Sequence, residues 1–294
     1  MAANISLKQL KVFTTLIRHK TLTSASESLY LSKAAVSMTI SELEKQIGHA
    51  LFDRINNRLI LNQEGQRLLP LADELLQRSN EIETLFSQDE ILTGQLRIGA
   101  SDTIGNQLAP NLLSQFRTSS GHTSQSLVIS NTSAICQKLV DYELDIGLVE
   151  GNIDHPEISP CAFGKDQMCI ICPTDHPFTK TNILAMNELN DQNWVLREPG
   201  SGSREFFLTK VATQIKQWNE SFQLNTTESL INSVSAGLGL GCLSQLSAQH
   251  AIQDGRVGVI KTPLDMSRQF WILLHKEKYQ SSLLKRFIEF CNKY

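Results

Sequence analysis

A chain of 294 residues, 41% hydrophobic and 19% charged, is long enough for two or three domains and ordinary for a globular protein. No apolar run reaches the length of a membrane span, and the N-terminus MAANISLKQLKVF has no apolar core with a small-residue cleavage site, so a mature cytoplasmic protein without a membrane partner is expected. The net charge of -3 excludes a protein that is basic throughout, yet residues 1–62 carry eight Lys/Arg against four Asp/Glu and net +4, while the remainder nets -7.

Leu7, Leu10, Phe13 and Ile17 fall at helical spacing, with Val12 and Leu16 widening the stripe, and predict a first helix with a buried face. A second helix is expected over Thr21–Tyr30, with Leu22, Ala25 and Leu29 inward. Leu31-Ser32 forms a turn, and the Ser32 hydroxyl is a natural N-cap for a third helix. That helix would bury Ala35, Val36, Ile40, Leu43 and Ile47, leaving Lys33, Ser37, Met38, Ser41 and Glu44 outward or at the rim. A helix-turn-helix lays the first turns of its second helix in the major groove of DNA. Candidate DNA contacts are therefore Thr23, Ser32, Lys33, Ser37, Met38, Thr39 and Ser41. Arg54 and Arg58 flank an Asn56-Asn57 turn, where a short hairpin would make a basic wing on backbone phosphates. On charge and periodicity alone, a generic helical bundle with a solvated basic face fits about equally well.

Residues 63–92 predict a long linker helix. Leu68, Leu75 and Ile82 repeat every seven residues, with Ala72, Ser79 and Phe86 in a second row. Pro70 interrupts this pattern and Ser79 weakens it. From Gly94 onward, strands alternate with helices. Strands are expected at 95–100, 126–130, 145–149, 168–172, from 194, at 224–226, 239–243 and 270–275. Helices are expected at 106–117, 133–142, 203–216, 229–236 and 281–292. Such alternation predicts parallel sheets covered on both faces, in one domain or two.

In such sheets, ligands bind at the carboxyl ends of strands, where helices begin. Three loops qualify: Ser101-Asp102-Thr103, Asn131-Thr132, and REPGSGSR with Ser201, Gly202, Ser203 and Arg204. Their hydroxyls and backbone N–H groups suit a small anion, although Ser and Thr also cap helices with no ligand at all. Six cysteines, Cys136, Cys161, Cys169, Cys172, Cys242 and Cys291, are expected to be reduced and buried. Cys169-x-x-Cys172 near His176 lacks a second pair to complete a metal site, and strand neighbours three apart point to opposite faces. Gly237 to Gly241 mimics a dinucleotide loop but opens a strand after a helix, the reverse of the required order. No metal, cofactor or catalytic constellation is expected, and hence no enzyme.

Leu7 to Gly65, through LKQLKVFTTLIRHKTLTSASESLYLSKAAVS, ISELEKQIGHALFDR and LNQEG, resembles the winged helix-turn-helix of LysR-type transcriptional regulators. Ala35 stands where that family usually has proline, and Met38 where it often has arginine or another polar residue. Met38 would offer apolar contact, for example to a thymine methyl. The REPGSGSRE segment resembles a subgroup that includes regulators of carbon fixation and of sulfur-compound metabolism. The resemblance implies an all-α winged helix-turn-helix (1–62), a long linker and dimerisation helix (63–92), and a C-terminal α/β domain like a periplasmic binding protein (93–294). Its lobe one would comprise about 93–164 and 268–294, and lobe two about 165–267, with crossings near 162–168 and 264–269. It further implies a DNA-binding homodimer or homotetramer whose DNA contacts respond to a small effector, here expected to be an anion. The rival is an α/β solute-binding or enzymatic protein with an incidental helical extension.

Overall fold

The computed structural model describes residues 4–55, 58–86, 92–151 and 153–294. The N-terminal unit begins with α1 (Leu7–His19), α2 (Leu22–Ser28) and α3 (Lys33–Ile47). Ser6 and Gln9 form a reciprocal cap at the start of α1. The Ser32 hydroxyl accepts the Ala35 N–H at 3.1 Å, so Ser32 caps α3 as expected. A proline at position 35 has no N–H to donate, so the alanine supplies this cap bond. Gly48 closes α3 at φ 82°, a left-handed turn that suits glycine. β1 (Phe52–Ile55) and β2 (Arg58–Leu61) pair antiparallel, with Phe52 opposite Leu61. The expected turn, Asn56-Asn57, lies outside the described residues. Leu10, Phe13, Leu16, Val36, Ile40, Leu43 and Leu51 form the core of this unit.

The linker helix α4 (Gln63–Thr84) runs through Pro70 and ends before the expected residue 92. Its seam divides. Leu68 and Ala72 pack into the N-terminal core, whereas Leu75, Ile82 and Phe86 are exposed, together with Leu71 and Leu85. No helix of the described residues is long and apolar enough to cross a membrane.

The body follows as β3 (Leu96–Ala100), α5 (Asp102–Gln107), α6 (Ala109–Ser120), β4 (Gln125–Ile129), α7 (Thr132–Val140), β5 (Ile146–Glu150) and β6 (Ile158–Cys172). Then come β7 (Asn193–Arg197), α8 (Gly202–Phe206), β8 (Asn219–Leu224), α9 (Thr227–Ser235), β9 (Leu240–Ser244), α10 (Gln245–Gln253), β10 (Gly258–Ile260), β11 (Ser267–His275) and α11 (Ser282–Cys291). The expected helix 203–216 shortens to α8 and continues as a π-helical turn at Phe207–Val211.

Among the described residues, the body's strands form one sheet in the order β4-β3-β5-β11-β6-β9-β7-β8, with β10 beside β6. The expectation of wholly parallel sheets is corrected here. β4, β3 and β5 are parallel, as are β8, β7 and β9, but β6 and β11 run antiparallel to their neighbours. β6 is also far longer than expected. Ile158–Gln167 pair with β11, and Met168–Ile171 pair with β9. One strand thus serves two α/β lobes, each with its own apolar core. Burial pushes the Cys169 thiol up to about 12 and the Cys172 thiol up to about 11, so this Cys-x-x-Cys pair sits protonated in the sheet. Cys161 departs from the expectation for cysteines, because it is exposed.

A buried charge cluster joins α1, α4 and lobe one. Asp73 of α4 receives Lys278 Nζ at 2.5 Å and lies 3.3 Å from Arg18 Nη2 and 3.5 Å from Arg97 Nη2. Asp145 receives Lys278 Nζ at 2.7 Å and Arg97 Nη2 at 2.5 Å. Burial alone would raise the Asp145 carboxyl, but Lys278 and Arg97 outweigh it and hold it well below the usual carboxylate range. Because its folded pKa is depressed, its stabilisation is full above the ordinary carboxylate pKa and is lost as pH falls below it. Asp73→Asn would leave Arg18 without a carboxylate and Asp145 alone to meet Lys278 and Arg97, and is expected to cost about 3–5 kcal/mol, read as a lowered denaturation midpoint of the full chain. A midpoint equal to that of the wild type would contradict this coupling.

Candidate functional site

Two surfaces carry the candidate residues. On the N-terminal unit, Lys33, Met38 and Ser41 project from the outer face of α3, and Met38 is 65% exposed. Ser37 and Ser41 line a cleft of about 380 Å3 with Glu44, and Arg54 of β1 forms its other wall. Arg54 thus stands across a groove from the hydroxyl face of α3. Thr23 is exposed on α2. Two candidates are already engaged within the helix. The Ser32 hydroxyl holds the cap, and the Thr39 hydroxyl donates to the Ala35 carbonyl at 2.8 Å. The Arg58 side chain lies outside the described residues.

In the body, all three expected loops meet at the carboxyl ends of β3, β5 and β7. The Thr132 hydroxyl donates to the Glu150 carbonyl at 2.8 Å. The Ser133 N–H donates to the Gly200 carbonyl at 3.2 Å, which ties the α7 loop to the loop before α8. Asn131 caps α7 through Ala134 N–H at 2.9 Å, and its amide donates to Glu198 at 3.1 Å. Gly200, at φ 87°, permits this approach, because a Cβ there would meet Ser133 Oγ at 2.9 Å.

At the centre lies a residue outside the expected set. Arg268 of β11, 8% exposed, donates to Thr103 Oγ1 at 3.1 Å and to Ser203 Oγ at 3.4 Å. It thereby bridges a lobe-one loop and a lobe-two loop. Its charge is met by Asp166 at 2.7 Å, which also accepts the Ser244 hydroxyl at 2.8 Å. A signal for it existed in the sequence, since Arg268 is the only arginine in the expected return crossing at 264–269. Ser101, Ser201 and Ser203 are all buried.

A cleft of about 830 Å3 opens next to this centre, with Asp102, Asn131, Arg197, Glu198 and Thr227 among its walls. Arg197, buried, lies 3.1 Å from Asp102 Oδ2 and 2.9 Å from Glu198 Oε2. Burial alone would raise the Glu198 carboxyl, but the Arg197 hydrogen bonds outweigh it and hold it below the usual range. Arg204 requires a correction. Its guanidinium holds both oxygens of Glu220, at 2.9 and 2.8 Å, and those bonds raise the Arg204 pKa. It is committed to β8 and not to the cleft. Among the described residues, no cluster of His, Cys, Asp or Glu is arranged to hold a metal ion.

Comparison with known proteins agrees with this division. Residues 7–66 match the bacterial regulatory helix-turn-helix of the lysR family, and residues 90–294 match the LysR substrate binding domain. The HTH-type regulator YeiE of Escherichia coli K12 is 32% identical over 290 residues, covering 98% of each chain. The RuBisCO operon transcriptional regulator of Allochromatium vinosum is 28% identical, covering 93% of this chain and 90% of its own. That similarity bears out the expected likeness to regulators of carbon fixation. The fold is that of full-length OxyR from Pseudomonas aeruginosa, with TM-score 0.78 at 22% identity, covering 99% of this chain and 94% of the other. It is also that of the Synechocystis CcmR regulatory domain in complex with 2-PG, with TM-score 0.62 at 20% identity, covering 68% of this chain and 97% of the other. This chain belongs to the LysR family of transcriptional regulators, with a helix-turn-helix followed by a substrate-binding domain of two α/β lobes.

Proposed function

We propose that the outer face of α3 and the β1–β2 wing bind double-stranded DNA, and that a small anion held between the two lobes alters that contact. Arg268 carries the effector half of this reading. A buried guanidinium flanked by hydroxyls from both lobes is the chemistry that recognises an oxyanion. The solved CcmR domain, which shares this fold, holds a small ligand named 2-PG, and that favours a compact effector. An anion that bridges the lobes would favour one lobe arrangement over another, and only such unequal binding shifts an equilibrium.

We take residues 1–62, 63–92 and 93–294 as the working units. Lobe one comprises about 93–164 and 268–294, and lobe two about 165–267. The exposed row Leu71, Leu75, Ile82, Leu85 and Phe86 supports pairing of α4 with a second copy, as a homodimer or, with further contacts, a homotetramer. Arg78 lies within the row's span, is bonded to Glu74 at 2.8 Å and sits 4.4 Å over the Tyr279 ring, so it adds nothing apolar to the row. Action on DNA supports a cytoplasmic location.

Lys33→Ala and Arg54→Ala are each expected to weaken DNA binding and to lower the salt slope by about 1 for each phosphate left unneutralised, measured by gel-shift on the upstream region of the gene. Unchanged affinity and slope in the double variant would move the contact surface elsewhere. Calorimetric titration of the full chain with sulfite, sulfate, phosphate and small carboxylates is expected to show binding that Arg268→Gln abolishes. Binding of only a bulky apolar or aromatic molecule would sink the anion reading.

A further inference from the structure

Glu150 stands where the anion is expected. It ends β5, is 2% exposed, and touches each of the three converging loops. Its carboxylate accepts the Ser101 hydroxyl and lies 3.8 Å from Arg268 Nη2. Its carbonyl accepts the Thr132 hydroxyl at 2.8 Å. A Cβ on Gly202 would collide with that carbonyl and meet the Glu150 Cγ at 3.0 Å, so the glycine lets the α8 turn close directly on Glu150.

The donors around this carboxylate are those an effector anion would use, namely a buried hydroxyl and a guanidinium. Asp166 already neutralises Arg268 at 2.7 Å. With Glu150 added, this buried centre holds two carboxylates against one guanidinium. An incoming anion therefore meets an occupied position and like charge, and does not find a free cation.

We propose that Glu150 is an internal competitor for the effector: its carboxylate fills the place between Ser101 and Arg268, and the anion binds by displacing it. The proposal rests on the anion reading of the cleft and deepens it. A tethered carboxylate competes at high effective concentration, so it raises the effector concentration needed for occupancy. It also discriminates. A singly charged carboxylate only replaces what Glu150 already supplies, whereas a doubly charged oxyanion binds the guanidinium more strongly. Displacement has a structural output as well, because the Glu150 Cγ packs against Gly202 of lobe two and moves with the carboxylate.

The test is calorimetry on the full chain with inorganic phosphate, sulfite, acetate and ethylamine as probes. Glu150→Gln keeps the side-chain size and an acceptor for Ser101 but removes the charge. Phosphate and sulfite are expected to bind Glu150→Gln roughly tenfold tighter or more than wild type, with acetate gaining affinity relative to them. If Glu150→Gln does not fold, Glu150→Asp draws the charge back by one methylene and is expected to give a smaller gain. Equal or weaker anion binding in these variants overturns the competitor role and leaves the anion reading standing. Ethylamine binding that Glu150→Gln abolishes also overturns it, because Glu150 would then be a ligand-holding group. If neither folded wild type nor folded variant binds any anion, the anion reading itself fails, and the competitor role with it.

Discussion

Asp73 of α4 lies where three cations from three parts of the chain converge, and much of the architecture depends on that convergence. Buried charges are costly unless each finds a partner, and Asp73 and Asp145 between them satisfy Lys278, Arg97 and Arg18. Turning α4 about its axis would take Asp73 away from all three cations, leaving Arg18 without a carboxylate and Asp145 alone to meet Lys278 and Arg97. The helix is therefore locked with one face on lobe one, where Glu81 also accepts from Tyr279 and Ser282. Its first turns lie in the DNA-binding core, and its apolar row faces outward. Tyr142 strengthens the same joint, as it comes from lobe one yet is buried in the N-terminal core. Lobe two joins these fastened parts through β6 and β11 and through the loops at the cleft.

Beside those loops, in β7 and β11, lie two arginines, each between two carboxylates. Arg197 lies between Asp102 and Glu198, and Arg268 between Asp166 and Glu150. Both guanidinium groups are thus already paired, and the four carboxylates leave this centre on balance acidic. A pocket that offered bare cations would hold any passing anion. One in which carboxylates already occupy the cations responds only to an anion that outcompetes them. Arg197–Asp102 and the Arg268 bonds to Thr103 and Ser203 join the two lobes, so on the proposed reading an effector that replaced them would act on lobe geometry.

The helix-turn-helix was legible because its periodicity is strong and its cap is local: Ser32 needs only the N–H three residues on. The strand-to-helix loops were legible because strand ends in alternating folds are ligand positions whatever the ligand. Other features depended on contacts distant in sequence. Pro160, Gly164 and the polar run Lys165-Asp166-Gln167 hid the first part of β6, which is a strand because β11 pairs with it. Arg204 sits in the expected loop, but Glu220, sixteen residues further along, takes it away. Arg268 and Glu150 lie in strands and not in loops. A search confined to loops passes over the two residues whose charges lie at the centre of the proposed site.

The most direct test is a footprint of the full-length protein on its own upstream DNA, taken across a titration of phosphate or sulfite. An anion that reaches the Arg268 centre should change the length of the protected segment or the affinity, and Arg268→Gln should remove that response while still binding DNA. Identical footprints and affinities with and without saturating anion would contradict control of DNA contact from the cleft.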